Sequence, residues 1–127
     1  MDIYIQDPIS ISMNIVEIDE HLPSMKIDIK VSIKKFSYSL NLNTQVWIEC
    51  EMFSKFIEAM SNSEIAIFND MNRLFDLTID TIKGRLHWSC AKEDLNGCMT
   101  IAKGEEILTT ESRDAIYNTF NDHPRWW

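Results

Sequence analysis

Hydrophobic and polar residues alternate strictly over long stretches in the first part of the chain. Apolar side chains fall at every second position from Ile9 to Ile15, from Met25 to Ile33 and from Phe36 to Leu42. Side chains point to opposite faces along a strand, so this pattern predicts three strands with one buried and one wet face. It is typical of an antiparallel sheet covered on one side. Pro23 and the pair Lys34-Lys35 are the predicted connections.

A helix is predicted next, because apolar residues recur at the spacing i, i+3, i+4 and i+7: Phe53, Phe56, Ile57 and Met60. It has about three turns at this spacing. The helix follows the segment "QVWIE" without an obvious loop. We therefore expect the strand to turn into the helix at Glu49 or Cys50, and the helix to end near Ser61.

Short strands are predicted again over 64–68, 74–80, 85–90 and 98–102. The segment Asp94 to Gly97 contains Asn-Gly, which favours a tight hairpin. A last helix is predicted over 111–120, because Thr109 or Thr110 can cap it and Pro124 lies just beyond it.

Together these elements predict one α+β domain over residues 1–127, since only three Gly and three Pro are present and no linker separates two halves. We expect a single, mostly antiparallel, twisted sheet of roughly six or seven strands. One helix follows the third strand, and the second helix is C-terminal.

The charge balance narrows the choice of partner. Lys and Arg number 12 and Asp and Glu number 20, so the net charge is −8. Such a chain repels phosphate backbones, which argues against nucleic acid as the main partner. No signal peptide and no apolar run of roughly 20 residues is recognised, so we expect a cytoplasmic protein that is not in the membrane. The cysteines are then expected to be reduced, with Cys90 and Cys98 as small core residues on neighbouring strands.

The residue types of catalysis and metal binding are poorly grouped. His87 and Cys90 are three apart in a strand and therefore point to opposite faces. Asp76 and Asp80 share a face, but a pair of acids on a wet face is weak support for hydrolysis. No motif for a cofactor or a metal occurs. We expect no catalytic, cofactor-binding or metal site, and keep a small-ligand binder or hydrolase using these four residues as an alternative.

The acidic residues are locally dense at strand ends and in loops. Acids on a rigid sheet can steer a basic protein towards it, although solvated loops are also simply polar. The candidates for contact with a partner are Glu17, Asp19, Glu20, Glu49, Glu51, Asp76, Asp80, Glu93 and Asp94.

Two adjacent tryptophans, Trp126 and Trp127, follow Pro124. The favoured interpretation is structural: at least one indole folds back against the core and its N–H finds a partner. The alternative is an aromatic hot spot for another protein.

The order of elements resembles a known class of proteins. Trp47, Glu51, Phe53 and Phe56 in "VWIECEMFSKFIEAM", followed by "RLFDLTID" and "GRLHWSC", are similar to small bacterial immunity proteins of polymorphic-toxin and contact-dependent growth-inhibition loci. The similarity covers roughly residues 25–102 and is one of residue type and order. It implies a non-enzymatic α+β immunity protein that binds and neutralises one cognate toxin domain, often a cationic nuclease. The alternative is a structural or adaptor module, or a homo-oligomer built through a sheet edge or the Trp-Trp segment.

Overall fold

The computed structural model describes residues 2–127 and shows an α+β chain with two four-stranded antiparallel sheets. Sheet A consists of β1 (Ile3–Ile5), β2 (Ser10–Asp19), β3 (Ser24–Lys35) and β4 (Tyr38–Glu49), adjacent in that order. Helix α1 (Cys50–Ser61) follows. Sheet B consists of β5 (Ile65–Asn69), β6 (Phe75–Asp80), β7 (Arg85–Glu93) and β8 (Met99–Ile107), again in chain order, and helix α2 (Thr110–Asn121) follows β8.

The α+β class and both helices are confirmed, but the strand count and the single sheet are corrected. The structure has eight strands in two sheets, where six or seven strands in one sheet were predicted. The strand β1 has three residues, which is shorter than the runs that alternation can identify, and it pairs with Ile11–Met13 of β2. Because β1 was missed, α1 follows the fourth strand and not the third.

The division into two sheets arises where β4 runs directly into α1. Glu49 is the last strand residue and also the helix N-cap, with extended φ and ψ, as the sequence predicted. The N–H of Cys50 donates to the carbonyl of Pro23 at 2.9 Å, which fixes this junction to the β2–β3 turn. The chain therefore leaves sheet A along the helix and starts a new sheet. Neither helix in the described chain is long and apolar enough to cross a membrane.

Three local predictions are corrected at the turns. Lys34 and Lys35 belong to β3, and the β3–β4 connection is made by Phe36 and Ser37. Phe36 is fully exposed with φ of 49°, so it is a turn residue and not part of the buried face. Cys98 is also exposed, before the start of β8, whereas Cys90 is buried as predicted.

Other local predictions are confirmed. Asp94 to Gly97 forms the β7–β8 turn, with the N–H of Gly97 bonded to the carbonyl of Asp94. Thr109 caps α2 by accepting from the N–H of Ser112, and the Ser112 hydroxyl accepts in return from the N–H of Thr109. This reciprocal capping satisfies two backbone donors that the first turn of a helix leaves free.

The core is one apolar cluster that both sheets and both helices share. Helix α1 packs on β5 and α2, and α2 packs on β1. Phe68 of β5 lies at the centre of an aromatic group, with ring centroids 5.5 Å from Phe56, 5.4 Å from Phe120 and 6.1 Å from Phe53. The aromatic side chains of both helices therefore pack together against sheet B.

Gly104 makes a close approach possible within sheet B. It is paired with Trp88, and a Cβ atom at position 104 would lie 2.5 Å from Nε1 of that indole. Trp88 is 2% exposed, so its ring has little freedom to move away. Only glycine leaves space for the indole to cover β8 at this point.

Candidate functional site

Five of the nine predicted acids lie together at one end of sheet A. We call this surface the acidic corner and define it as Glu17, Asp19, Glu20, Glu49 and Glu51. Its members come from the end of β2, the β2–β3 turn, the end of β4 and the first turn of α1. Antiparallel pairing brings them together, because the end of β2, the start of β3 and the end of β4 lie side by side at this end of the sheet.

A β-bulge places two of these acids on the open face of sheet A. The pairing of β2 with β3 shifts register between Ile15 and Glu17, with Val16 as the extra residue. Ile15 still pairs with Ile27 of the buried face, but Glu17 pairs with Lys26 of the open face. Without the bulge, strict alternation would turn the acids of β2 towards the core. The bulge therefore brings Glu17 and Asp19 to the same face as Glu49.

Trp47 lies within the acidic corner and is half-buried. Lys26 is its partner on β3, and Glu17 is the next residue across in the same row. The Trp47 carbonyl accepts from the N–H of Met71 at 2.9 Å, which ties the backbone of β4 to the β5–β6 turn. A large aromatic side chain therefore lies on an otherwise polar sheet face, on a backbone held from both sides.

A tryptophan within an apolar strand is predicted to be core or half-buried, and Trp47 is half-buried. Its exposure was readable from the sequence, because the inward positions of β4 are Thr44, Val46 and Ile48 and Trp47 falls out of phase with them. What the sequence did not reveal is the neighbourhood of Trp47. The row formed by Glu17, Lys26 and Trp47 depends on the bulge and on the register of two strand pairs.

The electrostatics of the acidic corner are negative. Lys26 is the cross-strand neighbour of Glu17, and Lys55 forms an ion pair with Glu51 at 3.0 Å. Both members of that pair are more than two-thirds exposed, so water screens the contact and its contribution is small. The remaining negative charge is available to attract a basic surface.

The corner is also rigid and has an apolar border. The carboxylate of Asp19 accepts from the N–H groups of His21 and Leu22 at 2.9 and 3.3 Å, which fixes the β2–β3 turn. Val16, Ile18 and Leu22 are each about half exposed, at 49%, 51% and 53%. Apolar side chains beside ordered acids are suited to a protein interface, whose centre excludes water and whose rim carries charge.

The other four predicted acids lie outside the acidic corner. Three of them, Asp76, Asp80 and Asp94, accept hydrogen bonds from residues close to them in the chain. Asp76, on the open face of sheet B, accepts from the Thr78 hydroxyl at 2.9 Å. Asp80 is buried and accepts from the N–H groups of Ile82 and Lys83. Its carboxylate shapes the β6–β7 turn and offers little charge to a partner.

The remaining two acids lie together in the β7–β8 hairpin. Asp94 accepts from the N–H groups of Asn96 and Cys98 at 2.8 and 2.9 Å, so its carboxylate holds the turn together. Glu93 is exposed at the end of β7. It is therefore a suitable reference acid for comparison with the acidic corner.

The candidate catalytic residues are kept apart by the sheet. His87 is exposed on the open face of sheet B, with Nε2 3.9 Å from Oε1 of Glu105, while Cys90 lies on the buried face. This opposite placement was predicted from their spacing. Burial raises the pKa of the Cys90 thiol; the nearby Lys92 lowers it by a smaller amount, and Asp70 adds a still smaller increase. Within residues 2–127, no cluster of three or more His, Cys, Asp or Glu side chains is arranged to hold a metal ion.

The three cysteines are expected to differ in reactivity. Burial also raises the pKa of Cys50, so the folded chain keeps two thiols protonated, whereas Cys98 is exposed. With iodoacetamide at about pH 8, we expect one adduct on the native protein and three in denaturant, counted by mass spectrometry. The same raised pKa values make the free energy of unfolding fall as pH rises past about 8.5, because the unfolded chain loses those protons first.

A variant with Cys98→Ser provides the control for this experiment. It should show no rapid native adduct and two adducts in denaturant. Rapid native labelling of Cys50 or Cys90 would contradict the burial of these thiols.

The fold and the corner define a class in structural terms: a small α+β protein with two antiparallel sheets and an acidic surface centred on a tryptophan. No family model, curated protein or solved structure matches the chain.

Proposed function

We propose that this protein is a non-enzymatic immunity protein that binds a basic toxin domain, for which a cationic nuclease is the favoured candidate, through the acidic corner. The observation that carries the proposal is the position of Trp47 on the open face of sheet A, in a row with Glu17 and Lys26. Tryptophan is among the residues that most often dominate binding energy at protein interfaces. Surrounding acids raise the rate of encounter with a basic partner and help to select it.

The chemistry of the rest of the surface supports a binding role over a catalytic one. The imidazole of His87 and the thiol of Cys90 point to opposite faces of sheet B. The Asp80 carboxylate is already used by backbone N–H groups of its own turn. A hydrolase assembled from these residues would need them to converge on one reacting atom.

Co-expression tests the proposal directly. The full chain is expressed together with the C-terminal domain of the toxin encoded by the gene directly upstream, and growth is followed after induction. We expect growth with the wild-type chain and arrest without it. If cells stop growing equally fast with and without the chain, it does not act as an immunity protein.

The assignment of the acidic corner has its own test. Trp47→Ala should weaken toxin binding by about 2 kcal/mol, or roughly 30-fold in Kd, measured by calorimetry. The double variant Glu17→Lys with Glu49→Lys should slow association and weaken its dependence on salt. Glu93→Lys is the matched control, because it reverses an exposed acid outside the corner. If Glu93→Lys alone reduces binding, the toxin binds elsewhere while the immunity function stands.

A further inference from the structure

Strand β8 forms one edge of sheet B. It pairs with β7 on one side, and within residues 2–127 no strand pairs with its other side. It is nine residues long. The opposite edge strand, β5, packs against α1, and the N–H of Asn69 contacts Sδ of Met52 in that helix. A long, uncovered edge presents a row of backbone donors and acceptors and is a template for adding another strand.

The hydrogen-bond pattern shows which residues of β8 face the free side. At one end of the β7–β8 ladder the N–H of Leu108 donates to Gly84, and at the other end the N–H of Asp94 donates to Cys98. Antiparallel pairs alternate between hydrogen-bonded and non-bonded, so even-numbered residues of β8 bond to β7. The odd-numbered residues therefore direct their N–H and C=O groups outwards: Met99, Ile101, Lys103, Glu105 and Ile107.

The side chains of these same residues lie on the open face of sheet B. They pair across with Arg85, His87 and other residues of that face, whereas Leu86 and Trp88 point into the core. Ile101 and Ile107 are 65% and 69% exposed. The outward-facing residues from Ile101 to Ile107 are therefore apolar, basic, acidic and apolar in turn: Ile101, Lys103, Glu105 and Ile107.

An antiparallel second copy presents the same four residues in the opposite direction, and the two series are then complementary in charge and hydrophobicity. We propose that β8 pairs antiparallel with β8 of a second copy of this chain, with the two-fold axis passing between the two Gly104 residues. Lys103 of each copy then faces Glu105 of the other, and Ile101 of each faces Ile107 of the other. All four pairs join outward-facing residues, so they can exchange roughly eight backbone hydrogen bonds.

Neighbouring registers lose this complementarity. An axis at Lys103 places Lys103 opposite itself, and an axis at Glu105 places Glu105 opposite itself. Like charges directly opposite in a sheet are destabilising, whereas opposite charges and apolar pairs stabilise it. The charge pattern therefore favours one register, and the symmetric contact closes on two copies without extending into a fibre.

Glu105 has a partner in its own chain as well, since Nε of Arg85 lies 3.2 Å from its carboxylate. Both side chains are about half exposed, so Glu105 keeps room for a second cation. The paired sheets would form one continuous eight-stranded sheet. This inference does not rest on the proposed function, because the edge belongs to sheet B and the acidic corner belongs to sheet A.

Sedimentation of the full chain over a range of concentrations tests the proposal. We expect wild type to pass reversibly from monomer to dimer as concentration rises. Lys103→Glu places Glu opposite Glu twice across the axis, and Glu105→Lys places Lys opposite Lys twice. Each change should weaken dimerisation roughly tenfold to hundredfold.

Mixing the two variants makes the test specific. In a mixed pair every position 103 faces an opposite charge at position 105, so a one-to-one mixture should regain the dimer that neither variant forms alone. Lys34→Glu, the same charge change on the open face of sheet A, should leave dimerisation unchanged. Ile101→Pro removes an outward N–H, not a bond to β7, and should leave a folded monomer by circular dichroism.

Three results would overturn the proposal. The first is a wild-type chain that remains monomeric up to about millimolar concentration, well above the range of specific dimers. The second is a dimer that both single variants retain. The third is a mixture of the variants that stays monomeric. This third result is also the one expected if β8 pairs only with strands of other proteins.

Discussion

Replacing Phe68 with alanine should destabilise the protein by about 3–5 kcal/mol, which is the range for removing a large aromatic side chain from a packed core. Phe68 is fully buried, and its ring lies near those of Phe53, Phe56, Phe75 and Phe120. These rings belong to α1, β6 and α2, so the cavity would open where both helices meet sheet B. For a chain of 127 residues the melting temperature should fall by roughly 10–20 °C.

The chain contains a matched control for this substitution. Phe36→Ala removes the same ring from the β3–β4 turn, where the side chain is fully exposed. The melting temperature should then stay close to that of wild type, because the exposed ring has no buried contacts to lose and alanine keeps a Cβ atom at the same positive φ. Thermal unfolding followed by circular dichroism gives both values. If the two variants melt together, Phe68 is not the centre of the core.

These two phenylalanines also show what the sequence can and cannot predict. The alternation of β5 makes Phe68 inward with Ala66, so its burial follows from period two alone. Phe36 continues an alternating run and was predicted to lie on the buried face of a strand. The turn type overrides that pattern, because the tight loop between Lys35 and Tyr38 places Phe36 at positive φ.

The separation into two sheets follows the same principle. Strand lengths and faces are local properties, and most were predicted to within a few residues. Every strand pairs with its neighbour along the chain, and the break between the two sheets is set by the direct passage of β4 into α1 at Glu49. Three hydrophobic residues of β1 gave too short a signal, although Ile3 and Ile5 are almost completely buried.

The candidate site was predictable in part for a similar reason. The acids were recognisable individually, but their grouping depends on one extra residue, Val16, in β2. A bulge reverses the side of every residue that follows it, and its only sign in the sequence is that the apolar positions change from odd to even numbers at the adjacent pair Ile15-Val16. Glu17 and Asp19 were therefore identified without their relation to Trp47.

Replacing Trp127 with alanine should destabilise the protein by about 3 kcal/mol, at the low end of the range for buried tryptophan because this residue is only half-buried. Its indole meets the Phe53 ring edge-to-face, with centroids 5.5 Å apart and planes at 86°. Nε1 donates to the hydroxyl of Ser54 at 2.9 Å. The structure therefore confirms the expectation that one indole of the pair folds back on the core and finds a partner for its N–H.

Trp126 provides the comparison, since it is 39% exposed and touches Trp127 at 5.7 Å between ring centroids. Trp126→Ala should lower the free energy of unfolding by less than about 1 kcal/mol. Trp127→Phe keeps a ring near Phe53 but removes the donor, so its loss in free energy of unfolding should lie between those of Trp127→Ala and Trp126→Ala. Ser54→Ala removes only the hydrogen bond, and its loss should be about 1 kcal/mol smaller than that of Trp127→Phe. Denaturant unfolding measures all four variants. If Trp127→Ala and the removal of residues 124–127 both leave the melting temperature unchanged, the indole does not stabilise the core, and its role must lie in contact with another molecule.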